Sequence, residues 1–148
     1  MAADAWVVHD KAKEYAGDGT IDYDGDTFKM ILCLSTSNIA TTTVDGYAAV
    51  TNEHATANGY TQGGVTVAAT WVESSGTVTF DVADGVWNAS GGSLVARFAA
   101  IYDDTVTTPV ADPIIAHCLL DNSPADVTTT DGNTLTIQIN ASGVFTKT

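Results

Sequence analysis

Four aspartates, Asp18, Asp22, Asp24 and Asp26, fall within nine residues of the stretch GDGTIDYDGDTF (17–28). Such density suits either a calcium loop or a solvated turn. A twelve-residue calcium loop opening at Asp22 needs glycine at its sixth position and a bidentate acid at its twelfth, but Thr27 and Cys33 stand there. Opening at Asp18 places Thr20 third and Tyr23 sixth, which also fails. The expectation is a turn in which Ile21 and Tyr23 point one way and Asp22 and Asp24 the other, with DGD carrying the chain into the next strand. The histidines His9, His54 and His117 lie in three distant segments without a cysteine or acid at metal-ligand spacing, so they are read as structural and no metal is expected. The chain has no Gly-x-Ser-x-Gly elbow, Gly-x-Gly-x-x-Gly loop or P-loop. Cys33 and Cys118 both sit in apolar runs, where a thiol is a small hydrophobe; whether they bridge is left open. No catalytic residue and no cofactor are expected, and the chain is not read as an enzyme.

Arg97 is the single arginine, inside the apolar run LVARFAAIY (94–102). A cation there must be paired or must reach an edge, and Asp103 and Asp104 just beyond the run are the expected partners in a structural salt bridge. Among the aromatic residues, Trp71 is in phase with core-facing valines. Trp6 and its neighbour Val7 in the N-terminal segment, with Tyr47 and Tyr60 in a long connection, are the candidates for gripping a partner. The triplets Asn88-Ala-Ser90 and Asn140-Ala-Ser142 would matter only in a secreted eukaryotic chain.

The elements that must position these residues are mostly strands. Asp4 is expected to cap a short helix in which Ala5, Val8, Ala12 and Tyr15 recur at helical spacing and Gly17 stops it, giving an N-terminal helical arm over 1–17. TFKMILCL then alternates Phe28, Met30, Leu32 and Leu34 against Lys29, Ile31 and Cys33, so one face is core and the other at least half covered. Residues 35–64 lack a sustained period and read as a long working loop, with room for a short helix or strand. VTVAATWV, the turn ESSG and TVTFDV form the clearest hairpin. GVWNA, LVARFAAIY, IIAHCLL, TLTIQIN and GVFTK supply further strands. With one at TIDY, about eight to nine antiparallel strands are expected, in a single all-β domain over 1–148 built as a β-sandwich or jelly roll.

Composition narrows the partners. Hydrophobic residues make up 45% and charged residues 16% of the 148 positions, as in a folded globular chain. Eighteen acids against five scattered bases leave a net charge of −13, which disfavours nucleic acid because phosphate binding needs clustered Lys or Arg. No run reaches the length of a membrane span, and the opening residues lack the basic start and apolar core of a leader, so a soluble product made in a cytoplasm is expected.

The segments DGTIDYDGDTFKMILC, GYTQGGVTV, GTVTFDVADGVW, ARFAAIYDDT and ASGVFT, in this order, resemble a group of small tailed-bacteriophage capsid decoration, or cement, proteins with a jelly-roll-like sandwich. The resemblance runs from about Gly17 to the end and rests on turns, a central strand and a buried tryptophan. It implies a structural virion protein on the capsid outer surface that cements the major capsid protein lattice, acts as a homo-oligomer (dimer or trimer) and is made in the host bacterial cytoplasm. It carries no catalytic residues over. A tail or baseplate subunit of the same build, and a carbohydrate-binding sandwich using exposed Trp or Tyr rings, remain the alternatives.

Overall fold

The computed structural model describes residues 2–148. In chain order the elements are β1 (Val7–Val8), α1 (Asp10–Asp18), β2 (Phe28–Cys33), β3 (Val65–Val67), β4 (Ala69–Ser74), β5 (Thr77–Val82), β6 (Gly85–Asn88), β7 (Leu94–Ala96), β8 (Phe98–Asp103), β9 (Ile114–Leu119), β10 (Val127–Thr129), β11 (Thr134–Ile137) and β12 (Phe145–Lys147). A five-stranded antiparallel sheet in the order β1-β9-β8-β2-β3 forms one layer. The other is assembled from three pieces, β12-β5-β4, β11-β6 and β10-β7. The all-β sandwich expected from the alternation is the fold observed.

Strand β2 shows why the alternation was informative. Phe28, Met30 and Leu32 enter the main core between the layers, whereas Ile31 and Cys33 join a second cluster on the outer face with Ile39, Val44, Ala100, Tyr102 and Ile114. Both clusters exclude water from β2, so its apolar run is nearly continuous. The outer cluster exists because the 35–64 connection, with a 3₁₀ turn at Tyr47–Ala49, folds back over the five-stranded sheet.

Several local expectations need correction. Asp4 does not cap a helix: residues 4–8 are extended, the Asp4 N–H donates to the Leu119 carbonyl, and Val7–Val8 pairs with β9. The β-branched pair Val7-Val8 extends the sheet where β9 would otherwise have a free edge. The helix begins at Asp10 after His9 and stops at Gly19 in the left-handed region, not at Gly17, while Ala12 and Tyr15 are its buried residues as expected. No strand forms at TIDY. Ile21 and Tyr23 are nonetheless buried and Asp22 and Asp24 exposed, because a compact turn directs them as a strand would.

VTVAATWV is not one strand; it breaks at Ala68 into β3 and β4, which lie in different sheets. LVARFAAIY breaks likewise at Arg97 into β7 and β8. The Arg97 N–H still donates to the Cys33 carbonyl and its carbonyl accepts from Leu120, so the chain changes layer without orphaning its backbone. These breaks, with β1 and β10 added, bring the count to twelve strands among the described residues. The β4–β5 hairpin is as expected, closing through Ser75 and Gly76, both at positive φ, over the Ser74↔Thr77 pair.

Candidate functional site

The 35–64 connection is organised around Glu53. Its Oε1 accepts from the Tyr60 hydroxyl at 2.6 Å and the Gly63 N–H at 2.8 Å, and its Oε2 accepts from the Tyr47 hydroxyl at 2.6 Å. The Tyr60 oxygen also accepts the Leu32 N–H, which ties the carboxylate to the backbone of β2. Tyr47 stacks on Tyr102 at 4.7 Å between ring centroids, and the Tyr102 hydroxyl donates to the Gly63 carbonyl. Burial and the adjacent Glu53 carboxylate push the Tyr47 and Tyr60 phenols well above the usual tyrosine range, so both remain protonated donors. A turn-rich stretch of this length is thereby held by hydrogen bonds to a carboxylate, each stronger than a neutral pair.

This arrangement relocates two expected partner-binding residues. Tyr60 is 2% exposed and offers no ring to a partner, and Tyr47 is half-buried with its hydroxyl engaged. Both serve the interior. Trp6 and Val7 lie away from them along the N-terminal edge of the five-stranded sheet, Trp6 half-buried and Val7 exposed. Here a groove of about 1100 Å³ opens between residues 3–6 and the segment 135–144, with Leu120 and Ile137 among its apolar walls.

The expected salt bridge is also reassigned. Arg97 donates from Nε to Asp126 Oδ1 at 2.8 Å, not to Asp103 or Asp104. Arg97 stands before β8 and the two aspartates at its far end, roughly 20 Å or more away along an extended strand. Asp104 instead pairs with Lys29 at 3.0 Å. Asp103 is fully buried: its Oδ1 accepts from the Thr105 and Val106 N–H groups, and its Oδ2 has no hydrogen-bond donor. Burial, and then the neighbouring Asp26 carboxyl, raise its pKa to about 7.

The acidic stretch is a turn. Asp22 Oδ1 accepts from the N–H groups of Asp24 and Gly25, Asp26 Oδ2 from that of Asp22, and Asp18 Oδ1 from that of Thr20. Tyr23 inserts from this turn into an aromatic group with Phe28, Trp71, Phe80 and Phe145. Trp71 therefore packs, in keeping with its phase. Among the described residues no three His, Cys, Asp or Glu side chains gather as a metal centre.

Two histidines far apart in the chain do meet. His9 Nδ1 lies 2.9 Å from the Val44 carbonyl and His9 Nε2 lies 3.0 Å from His117 Nδ1. A carbonyl can only accept, so His9 carries its proton on Nδ1, its Nε2 accepts, and His117 donates from Nδ1. Burial lowers both pKa values, that of His117 to about 4, and the pair stays neutral near pH 7. Sequence spacing offered no signal for this contact.

The cysteines are free and buried, Cys33 on β2 and Cys118 on β9 with β8 between them. Two strand spacings, roughly 9.5 Å, exceed what a disulfide spans. Burial lifts the Cys33 thiol to about 12 and that of Cys118 to about 11, so neither is a poised nucleophile. No helix among the described residues is long and apolar enough to cross a membrane. Comparison with family models, with curated proteins and with solved structures finds no match to this chain.

Proposed function

We propose that this chain is a structural virion protein that binds the outer surface of a bacteriophage capsid and stabilises the lattice of the major capsid protein without chemistry of its own. The observation that carries this reading is the treatment of the 35–64 connection. A stretch long enough to serve as a mobile lid is fastened to the sheet through Glu53, Tyr47, Tyr60 and Tyr102. A cement protein adds contact area at junctions between capsomers and resists their separation, so it needs surfaces that hold their shape under load. The ordered segment resemblance to capsid decoration proteins points the same way, and the net charge of −13 keeps closely spaced copies off nucleic acid.

The test compares particles carrying the chain with particles stripped of it, under heating and osmotic shock. Loss of resistance on stripping, restored by adding back the purified chain, is the expected result. Unchanged resistance rejects the stabilising role. Labelled chain located on the tail or baseplate in electron micrographs would establish the second reading, a tail subunit of the same build.

A further inference from the structure

Among the described residues, strand β11 has a neighbour on one side alone. Its register with β6 is continuous from Thr134↔Asn88 to Ile137↔Gly85, without a bulge. Just before the strand, the Asn133 carbonyl accepts the Ala89 N–H; just after it, the Ile139 N–H donates to Asp84 Oδ1. The Asn133 carbonyl and the Ile139 N–H thus both face the β6 side, while the Asn133 N–H closes the preceding turn on the Thr130 carbonyl. Antiparallel pairing alternates residue by residue, so 135 and 137 do the same, while Thr134, Thr136 and Gln138 turn their N–H and C=O groups outward. A row of unpaired backbone groups is a template for another strand, and folded chains ordinarily blunt it with charge, proline or a bulge.

A glycine bulge precedes the strand, where the Gly132 N–H and the Asn133 carbonyl both bond Ala89, but from Thr134 to Gln138 the edge carries none of those devices. From Gly132 to Thr146 the sequence contains no Asp, Glu, Lys, Arg or Pro, in a chain with eighteen acids. The edge strand β4 holds Glu73, and β12 holds Lys147. Beside β11 lies the open groove whose opposite wall is formed by residues 3–6, with Asp4 as its one lining acid, which leaves space next to the edge.

We propose that the outer edge of β11, Thr134 to Gln138, pairs antiparallel with the same edge of a second copy of this chain across a two-fold axis, joining both β6-β11 pairs into one four-stranded sheet. The uncharged edge selects this occupant. Two copies of charge −13 repel over most of their surfaces, but here they bring Thr and Gln opposite Thr and Gln, and no carboxylate is buried against another. A two-fold contact is self-complementary and closes after one partner, so the exposed edge does not propagate into fibres. The pairing follows from the strand edge and stands whether or not the chain sits on a virion.

Sedimentation velocity of the purified full chain, from about 1 to 500 μM, tests it together with Thr136→Pro, which removes one outward N–H, and Thr136→Glu, which leaves the backbone intact and sets two acids near each other across the axis. The expected result is a wild-type dimer, with dissociation constants at least 100-fold higher in both variants and far-UV circular dichroism unchanged in Thr136→Glu. A wild-type monomer throughout the range overturns the proposal, as does a dimer that Thr136→Glu, folded, leaves intact. If the wild type is monomeric and Thr136→Glu loses binding to stripped particles, the edge belongs to a lattice strand and not to a second copy. If a dimeric wild type fails to bind particles, the pairing holds and the virion reading fails.

Discussion

Glu53 accepts three hydrogen bonds from groups that the sequence spreads over residues 47 to 63, and its removal strands all of them. Glu53→Ala is expected to cost about 3–5 kcal/mol, because two phenols and an amide lose an ionised partner in a partly buried setting. Glu53→Gln keeps the shape but gives up one acceptor oxygen, and about 1–3 kcal/mol is expected. Urea unfolding of the two variants checks the order. Equal costs, or none, would mean the connection is held by something other than this carboxylate. Asp103 makes a prediction in pH. Its folded pKa of about 7 stands above the unfolded value of 3.8, so the folded state holds the extra proton between these values and stability is lost as pH rises from 3.8 through 7. Asp103→Asn mimics the protonated acid, keeps an acceptor for the Thr105 and Val106 N–H groups, and is expected to exceed wild type by about 2 kcal/mol at pH 8, an advantage that fades toward pH 4. A variant less stable than wild type at pH 8 would contradict this. The histidine pair tilts the other way. His117 has a folded pKa of about 4, below 6.5, so its contribution is lost as pH falls from 6.5 toward 4, where the unfolded chain takes up the proton first.

At the scale of elements, the strands legible in the sequence are those whose period-two alternation is unbroken. TVTFDV and TLTIQIN put Phe80, Val82, Leu135 and Ile137 inside as their phase requires. VTVAATWV and LVARFAAIY are misread as single strands because their strand-forming residues continue while the backbone changes layer. No local rule marks Ala68 or Arg97 as a crossing, because the residues on either side favour strand equally and the decision lies in which neighbour each half pairs with. A positive φ is more informative than propensity at Gly64, where φ is +74 and a Cβ would run into the Met30 carbonyl. Gly64→Ala is expected to destabilise by about 3 kcal/mol or more, whereas Gly76→Ala in the open β4–β5 turn pays the left-handed conformation alone, about 1 kcal/mol. Thermal unfolding of both separates close approach from conformation. Similar losses would show that β2 and the end of the connection do not pack as described.

The whole molecule carries a net charge of −13 on a chain of 148 residues, so the folded state works against its own repulsion. Raising salt from about 10 mM to about 0.5 M shortens the screening length from about 30 Å to roughly 4 Å and is expected to raise the melting temperature by about 3–6 °C. Differential scanning calorimetry at the two salt concentrations tests this, and a fall in melting temperature would show that specific ion pairs outweigh the general repulsion. At this scale the division between sequence and structure has a physical cause. Alternation, turn residues and charge act over a few neighbouring positions, so the all-β class, the β4–β5 hairpin, the buried phase of Ile21 and Tyr23 and the acidic surface could be read from the chain by itself. The meeting of His9 with His117 across 108 positions, the clamp on Glu53, the choice of Asp126 for Arg97 and the unprotected edge of β11 depend on sheet order and layer crossing, and these were decided only when distant strands packed.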